Sequence, residues 1–326
     1  MKPSTPPAPS RSPDRSIDAG TTALLERAVR LEKAAVARLL SLVERDDDGA
    51  RPLKAALFAT LAATPGQGRV IGLTGTPGAG KSSLIGRIAL HLIESDPAIR
   101  VAVLAIDPSS LDSGGALLGD RVRVRFPVGE RRIFFRSQST QGDLGGVGRR
   151  TWAATRLLRH LFDLILVETV GIGQSEIEIA HLADATVLVL QPLAGDHVQF
   201  MKAGVMDIPD VFVVNKCDEE ALARRITYEL RAALDVARIA GPDPTIFQTS
   251  VVTGRGIPEL ASHLRNVPSR PPDPMHFVRR TIAEAYGRFG LDLLEAAAAT
   301  WPAPTPSTIY EDLEIRALDA VRAGLR

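Results

Sequence analysis

A glycine-rich turn at residues 75–82 carries residue types that bind a phosphate chain. Gly75, Gly80, Lys81 and Ser82 have the spacing G-x-x-x-x-G-K-S, between an apolar run and an amphipathic one. Glycine lets the backbone wrap closely around phosphate oxygens, and the following helix turns its positive end toward the anion. Lysine supplies charge to the terminal phosphates, and the serine hydroxyl can bind magnesium. The alternative is a glycine-rich structural turn. We expect a phosphate site built from Gly75, Gly78, Ala79, Gly80, Lys81, Ser82 and Ser83.

Carboxylates follow the apolar runs downstream of this turn. Glu168 ends LILVE and Asp107 ends VAVLAID, whereas Asp120 lies in GGALLGDR. Ligands of open α/β sheets bind at the carboxyl ends of the strands, and hard cations bind oxygen donors. We therefore predict a magnesium site from Ser82, Asp107, Asp120 and Glu168, with the Gly171 N–H near the γ-phosphate. Four protein oxygens would crowd one magnesium ion, so some of them act at another stage or hold the attacking water. Asp107 can also be a helix cap or turn residue, and Asp120 a solvated loop carboxylate.

A second motif, N-K-x-D, indicates which base the site binds. Asn215, Lys216 and Asp218 follow the apolar run VFVV. An ionised Asp218 accepts hydrogen bonds from the ring N–H and the amino group of guanine, whereas adenine presents a bare nitrogen there. Lys216 can lay its methylenes along the base, and Asn215 can tie loops together. Ser250 and the backbone of Val251 are further base-contact candidates. The alternative is a charged surface turn, but the motif's position favours guanine.

These motifs need a frame of parallel strands. Seven short apolar runs, several of them continuous rather than alternating, predict strands buried on both faces of a sheet. Their spacing leaves room for crossover helices, so we predict an α/β fold with a doubly wound, mostly parallel sheet. The predicted strands are 70–73, 101–107, 133–135, 164–168, 185–191, 211–215 and 245–250.

Helical segments flank this predicted domain. Helical periodicity runs through 19–63, with a polar loop at 44–51, and returns at 275–297 and from Tyr310 onward. Proline-rich segments at 267–274 and 301–307 separate the later parts. We predict a disordered tail (1–18), an N-terminal helical segment (19–66), a P-loop GTPase domain (67–268) and a C-terminal helical arm (269–326).

Composition limits the classes of partner. The 326 residues carry 39 basic and 38 acidic side chains, for a net charge of +1, so nothing favours nucleic acid or an anionic membrane. The single cysteine, Cys217, excludes an internal disulfide framework. No apolar run approaches the length of a membrane span, and the start lacks a secretory pattern. We expect a cytoplasmic protein.

Several longer blocks make the chain resemble the MeaB/ArgK family of P-loop GTPases. They are AIDPSS (105–110), GGALLGDRVRV (114–124), LGGVGRRT (144–151), ETVGIGQSEIE (168–178) and AGDHVQFMKAGVMDIPDVFVVNKCD (194–218). The resemblance implies a homodimer joined by its C-terminal helices. It also implies a chaperone that gates adenosylcobalamin loading, and protects the cofactor, in an acyl-CoA mutase of the methylmalonyl-CoA mutase type.

The same resemblance assigns roles to matching residues. It implies that Lys81 and Ser82 handle phosphate and magnesium, and that Asp107, Asp120 and Glu168 form the metal and hydrolysis cluster. The catalytic candidates are therefore Lys81, Asp107 and Glu168. Residues 195–202 correspond to an additional switch of the family.

Other functions fit parts of the sequence. One is a metal-delivery GTPase for a nickel enzyme, which should carry Cys or His ligands near the P-loop or in a tail. Another is a kinase linked to basic amino-acid transport, which needs an acceptor site. A purely structural module would need neither Lys81 nor Asp218. The complete nucleotide set favours a slow GTPase used as a switch, which a partner accelerates.

Overall fold

The computed structural model describes residues 17–45, 47, 49–64, 66–107, 126–127, 129–139, 147–169, 175–192, 209–237, 245–270, 273–302 and 310–325. Asp120, Gly171 and the switch at 195–202 lie outside these residues, as does almost all of the predicted tail. The Asp107 backbone is described, but its side chain is not.

Seven parallel strands form one sheet. They are β1 Arg69–Gly75, β2 Val101–Asp107, β3 Ile133–Ser139, β4 Leu164–Glu168, β5 Ala185–Leu190, β6 Val211–Val214 and β7 Thr245–Gln248. The strand order is β3-β2-β4-β1-β5-β6-β7, and every pairing is parallel. All seven predicted strands and the α/β class are confirmed. Strands β2, β3 and β4 lie on one side of β1, and β5, β6 and β7 lie on the other. The strand order therefore reverses at β1, and such sheets bind ligands at the carboxyl ends of the strands beside this reversal.

Ten helices are present in the described ranges. They are α1 Ala19–Val29, α2 Lys33–Val43, α3 Ala50–Ala62, α4 Lys81–Ser95, α5 Arg149–Leu161, α6 Ser175–Leu182, α7 Glu220–Ala237, α8 Ile257–Arg265, α9 Pro274–Ala298 and α10 Tyr310–Gly324. The helical periodicity of 19–43 belongs to two helices rather than one. Leu31 has a φ of 60° between them, and its side chain packs on the core. No helix of the described residues is long and apolar enough to cross a membrane.

The N-terminal and C-terminal helices share one core on one face of the sheet, with α5 between them. Trp152 of α5 stacks on Phe277 of α9 with ring centroids 4.4 Å apart. The Tyr310 ring of α10 is T-shaped to Trp152, with ring centroids 5.9 Å apart. The Arg156 guanidinium lies 3.8 Å from the centre of the Phe58 ring in α3. Helices α4 and α8 contribute to the core on the opposite face.

This shared core gives a stability prediction. Phe277 is fully buried, so F277A should lower the free energy of unfolding by about 3–5 kcal/mol, through lost burial and the cavity left against Trp152. Urea unfolding followed by circular dichroism measures the change. Tyr228 of α7 is 75% exposed, so Y228A is the matched control and should cost less than about 0.5 kcal/mol. Equal effects of the two changes would contradict the packing described above.

Candidate functional site

The carboxyl ends of the central strands bring the predicted motifs to one edge of the sheet. The loops that follow the strands are joined by backbone hydrogen bonds. Thr169 N–H donates to the Leu73 carbonyl at 3.0 Å, Asn215 N–H to Leu190 at 2.8 Å, and Thr249 N–H to Val214 at 2.8 Å. Loops fixed to a rigid sheet can hold their side chains in place before a ligand binds.

The turn between β1 and α4 requires glycine at two points. Gly75 has a φ of 139°, and a Cβ there would collide with the Val189 carbonyl oxygen. Gly80 has a φ of 86°, and its Cβ would stand 2.7 Å from the side-chain nitrogen of Asn215. The backbone is therefore closely approached on both sides, and α4 begins at Lys81 with its N–H groups directed at the turn. This arrangement suits an anion.

The remaining loop residues differ in exposure. Gly78 is exposed with a φ of 82°, Ala79 is fully buried, and Ser83 is half-buried in the first turn of α4. Lys81 is 7% exposed, and its ammonium donates to the Gly75 carbonyl at 2.7 Å and the Thr76 carbonyl at 3.1 Å. The lysine charge is thus held inside the loop, where a phosphate chain would lie.

Two of the predicted metal ligands lie in contact. Ser82 Oγ donates to Glu168 Oε1 at 2.7 Å, and both side chains are 7% exposed. Asp107 ends β2, two residues beyond Ala105, which pairs with Glu168 across the sheet. The structure therefore brings Ser82 and Glu168 together and places the Asp107 backbone at the same edge.

Asn215 connects three segments of the site. Its side-chain nitrogen donates to the Ala79 carbonyl at 2.8 Å, and its oxygen accepts from the Thr249 hydroxyl at 3.0 Å. Asn215 is 1% exposed. Because both ends of the amide are bonded inside the protein, Asn215 holds the loop between β1 and α4 to the loop after β7.

Lys216 and Asp218 are exposed beside this amide. Lys216 has a φ of 60°, an uncommon conformation for a non-glycine residue, and its ammonium donates to Gln191 Oε1 at 2.8 Å. Asp218 accepts a short hydrogen bond from Ser250 Oγ, which also accepts from Thr253 N–H at 3.0 Å. The hydroxyl thus orients a carboxylate that is open to solvent.

Val251, which follows Ser250, and Cys217, which precedes Asp218, have packing roles. Val251 is half-buried against the core, so only its backbone is free to face a ligand. Cys217 is 2% exposed, and its thiol donates to the Val214 carbonyl at 3.0 Å. Burial raises the pKa of the Cys217 thiol, which keeps it protonated at neutral pH.

Two residues of this arrangement are absent from the sequence-based set: Thr249 and Gln191. Each is the first residue beyond a strand, as Asn215 is, and Glu168 is the last residue of its strand. A polar residue at the carboxyl end of a buried parallel strand is the signal that could have identified both.

Comparisons with known proteins agree with this geometry. The family model described as methylmalonyl-CoA mutase-associated GTPase MeaB matches residues 36–269 of the 326. A Pyrococcus horikoshii protein that carries the provisional name of GTPase is 41% identical over 243 residues, which cover 73% of this chain and 74% of that protein. The mitochondrial methylmalonic aciduria type A homolog of Mus musculus is 36% identical over 252 residues, 73% of this chain and 60% of that protein.

A solved structure shares the fold. A crystal structure described as an LAO/AO transport system kinase aligns with a TM-score of 0.61 at 22% identity, over 94% of this chain and 98% of that chain. The family match, which spans the phosphate loop and the N-K-x-D motif, is the stronger finding. The chain therefore belongs to the MeaB family of methylmalonyl-CoA mutase-associated GTPases, and it binds and hydrolyses GTP.

Proposed function

We propose that this GTPase is a chaperone for an adenosylcobalamin-dependent acyl-CoA mutase and that GTP hydrolysis gates loading and protection of the mutase cofactor. The observation that carries the proposal is the family match over residues 36–269, whose description names association with methylmalonyl-CoA mutase. The name of the mouse relative refers to methylmalonic aciduria, which supports the same partner class.

We place the nucleotide at the carboxyl edge of the sheet. Its phosphates would lie on the loop from Gly75 to Ser83, and its base would meet Asn215, Lys216, Asp218 and the backbone at Ser250 and Val251. Gly171 would contact the γ-phosphate. The positive φ angles of Gly75 and Gly80 and the buried Lys81 side chain support this placement.

The donors of the site fit magnesium. A serine hydroxyl and a carboxylate 2.7 Å apart are hard oxygen donors of the kind this ion takes. Ser82 and Glu168 would hold it, with Asp107 and Asp120 as further candidates. Magnesium, when bound, neutralises charge on the β- and γ-phosphate oxygens.

The protein's own residues then have separate tasks. The Lys81 ammonium exchanges its hydrogen bonds to the loop carbonyls for phosphate oxygens and stabilises the charge that moves as the terminal bond breaks. Asp107 and Glu168 are proposed to orient the attacking water from the neighbouring strands β2 and β4. The α4 N-terminus contributes fixed dipoles that need no reorganisation.

Helix α6 contacts both the strand that leads into the phosphate loop and the C-terminal helix α9. We propose that it transmits the nucleotide-dependent change between them. A Cβ on Gly72 of β1 would collide with Ile179, so α6 lies directly on the strand that leads into the phosphate loop. At its outer side Glu178 accepts from His276 at 2.9 Å and pairs with Arg280 at 3.3 Å, both on α9. Burial alone would raise the pKa of Glu178, but the His276 hydrogen bond and the Arg280 charge together lower it, so the carboxylate stays charged.

We further propose that residues 269–326 serve homodimer formation and that 19–66 and 67–268 are the helical and GTPase parts. Exposed apolar side chains on or beside α9 and α10 support a contact surface there: Phe289, Ile315 and Leu325.

The experiment is a binding assay with a purified methylmalonyl-CoA mutase, with the GTPase loaded with GDP or with a non-hydrolysable GTP analogue. We expect a complex whose affinity depends on the nucleotide. We also expect an intrinsic turnover below about 1 s⁻¹ that the mutase raises. A D218N variant, which should not load guanine nucleotides at the same concentrations, is the control. An intact GTPase that forms no complex in either state would refute the chaperone proposal.

A further inference from the structure

We infer that Gln191 is a positioning residue for guanine nucleotide binding, because its side-chain oxygen fixes the ammonium of Lys216. This inference rests on the proposed placement of the base beside Lys216 and Asp218. Gln191 itself belongs to neither nucleotide motif.

Gln191 is the first residue beyond β5, next to the loop that carries Lys216. Leu190, its neighbour in the chain, accepts the N–H of Asn215 at 2.8 Å, so the loop after β6 is bonded to the end of β5 at the backbone. Gln191 Oε1 then accepts from Lys216 Nζ at 2.8 Å. Two contacts, one of the backbone and one of the side chains, therefore hold the loops together.

The Lys216 side chain runs across the phosphate loop to reach Gln191. Its Cε lies 4.0 Å from the position of a Cβ on Gly80. The other end of the glutamine amide, Nε2, lies 4.0 Å from the corresponding position on Gly78. Gln191 and Lys216 therefore lie side by side along the loop, next to Gly78 and Gly80, between the predicted phosphate and base positions.

The chemistry favours a neutral amide at this position. A lysine side chain has four rotatable bonds, and ordering them on binding costs affinity unless a partner has already restricted them. The Gln191 oxygen restricts them without cancelling the lysine charge. A carboxylate in its place would add a negative charge close to the nucleotide phosphates. The methylenes of Lys216 are thereby restricted before the base arrives.

The test compares Q191L with Q67L by calorimetric titration of GDP and of a non-hydrolysable GTP analogue. Leucine keeps the approximate volume of glutamine but accepts no hydrogen bond. Q191L should weaken both nucleotides equally, by about three- to tenfold, and should raise KM for GTP while kcat at saturation is unchanged. Gln67 is exposed before β1, at the opposite edge of the sheet, and Q67L should change neither constant. Unchanged affinities in Q191L, or a loss confined to kcat, would overturn the inference.

A double-mutant cycle with K216M separates positioning from a general structural effect. K216M removes the ammonium and keeps an unbranched apolar side chain, so adding Q191L to it should cost less than about twofold. A loss that persists in the K216M background would show that Gln191 acts without the lysine and would refute the inference. If K216M alone leaves both affinities unchanged, the fixed ammonium does not contribute to binding and the inference fails, whereas the base placement fails only if D218N also leaves them unchanged. If K216M weakens binding and Q191L does not, the placement stands and only the role of Gln191 fails.

Discussion

Replacement of Lys81 by alanine should lower kcat for GTP hydrolysis by about a thousandfold, the largest loss that we expect from one side chain in this protein. Lys81 is 7% exposed, and its ammonium is held by two loop carbonyls. A positive charge in a protected site stabilises developing phosphate charge far more than it would in water. Single-turnover hydrolysis measures the chemical step directly.

The same change removes two hydrogen bonds within the loop, so folding must be checked separately. K81A should melt within a few degrees of the parent, since the carbonyls of Gly75 and Thr76 can bind water at the open edge of the sheet. K33A is the matched control, because Lys33 is an exposed lysine at the start of α2 and remote from the loop. A K81A protein that folds and keeps kcat within tenfold of the parent would exclude Lys81 as a catalytic residue.

The sequence was most informative where the local pattern and the global fold require the same residue type. Short apolar runs predicted all seven strands, and several of them are continuous because a strand buried on both faces has no polar side. Gly75 and Gly80 were predicted as a phosphate loop, and the structure places another backbone or side chain against each of them. A metal site was predicted from Ser82 and carboxylates at the ends of strands, and Ser82 Oγ lies 2.7 Å from Glu168 Oε1.

Features that depend on distant packing were not predictable. The break at Leu31, which has a φ of 60° and packs on the core, replaces one predicted helix with two. The local sequence does not explain why a glycine stands at position 72 in an apolar strand. A Cβ there would collide with Ile179, which is more than a hundred residues away in the sequence. The Lys216–Gln191 contact likewise joins two loops across 25 residues. No periodicity of the sequence encodes such pairs.

Replacement of Asp218 by asparagine should change which base the site accepts, because one amide nitrogen takes the place of one carboxylate oxygen. The Ser250 hydroxyl can still donate to the remaining oxygen, which leaves the new amino group directed at the base. Guanine presents an amino group there, and two donors oppose each other. Affinity for GDP should therefore fall by about 10²- to 10⁴-fold, as expected for two lost bonds to a charged acceptor.

Xanthine carries an oxygen where guanine carries that amino group, so the same variant should bind XDP more tightly than GDP. Calorimetric titration with both nucleotides measures the reversal, and circular dichroism shows whether the fold is kept. D235N is the matched control, since Asp235 is an exposed carboxylate on α7, and it should keep the parent's preference for GDP. A D218N protein that still prefers GDP would place the base elsewhere on the sheet edge. A clear preference for XDP, by contrast, would place the side chain at position 218 beside the 2-position of the base, where guanine has an amino group and xanthine an oxygen.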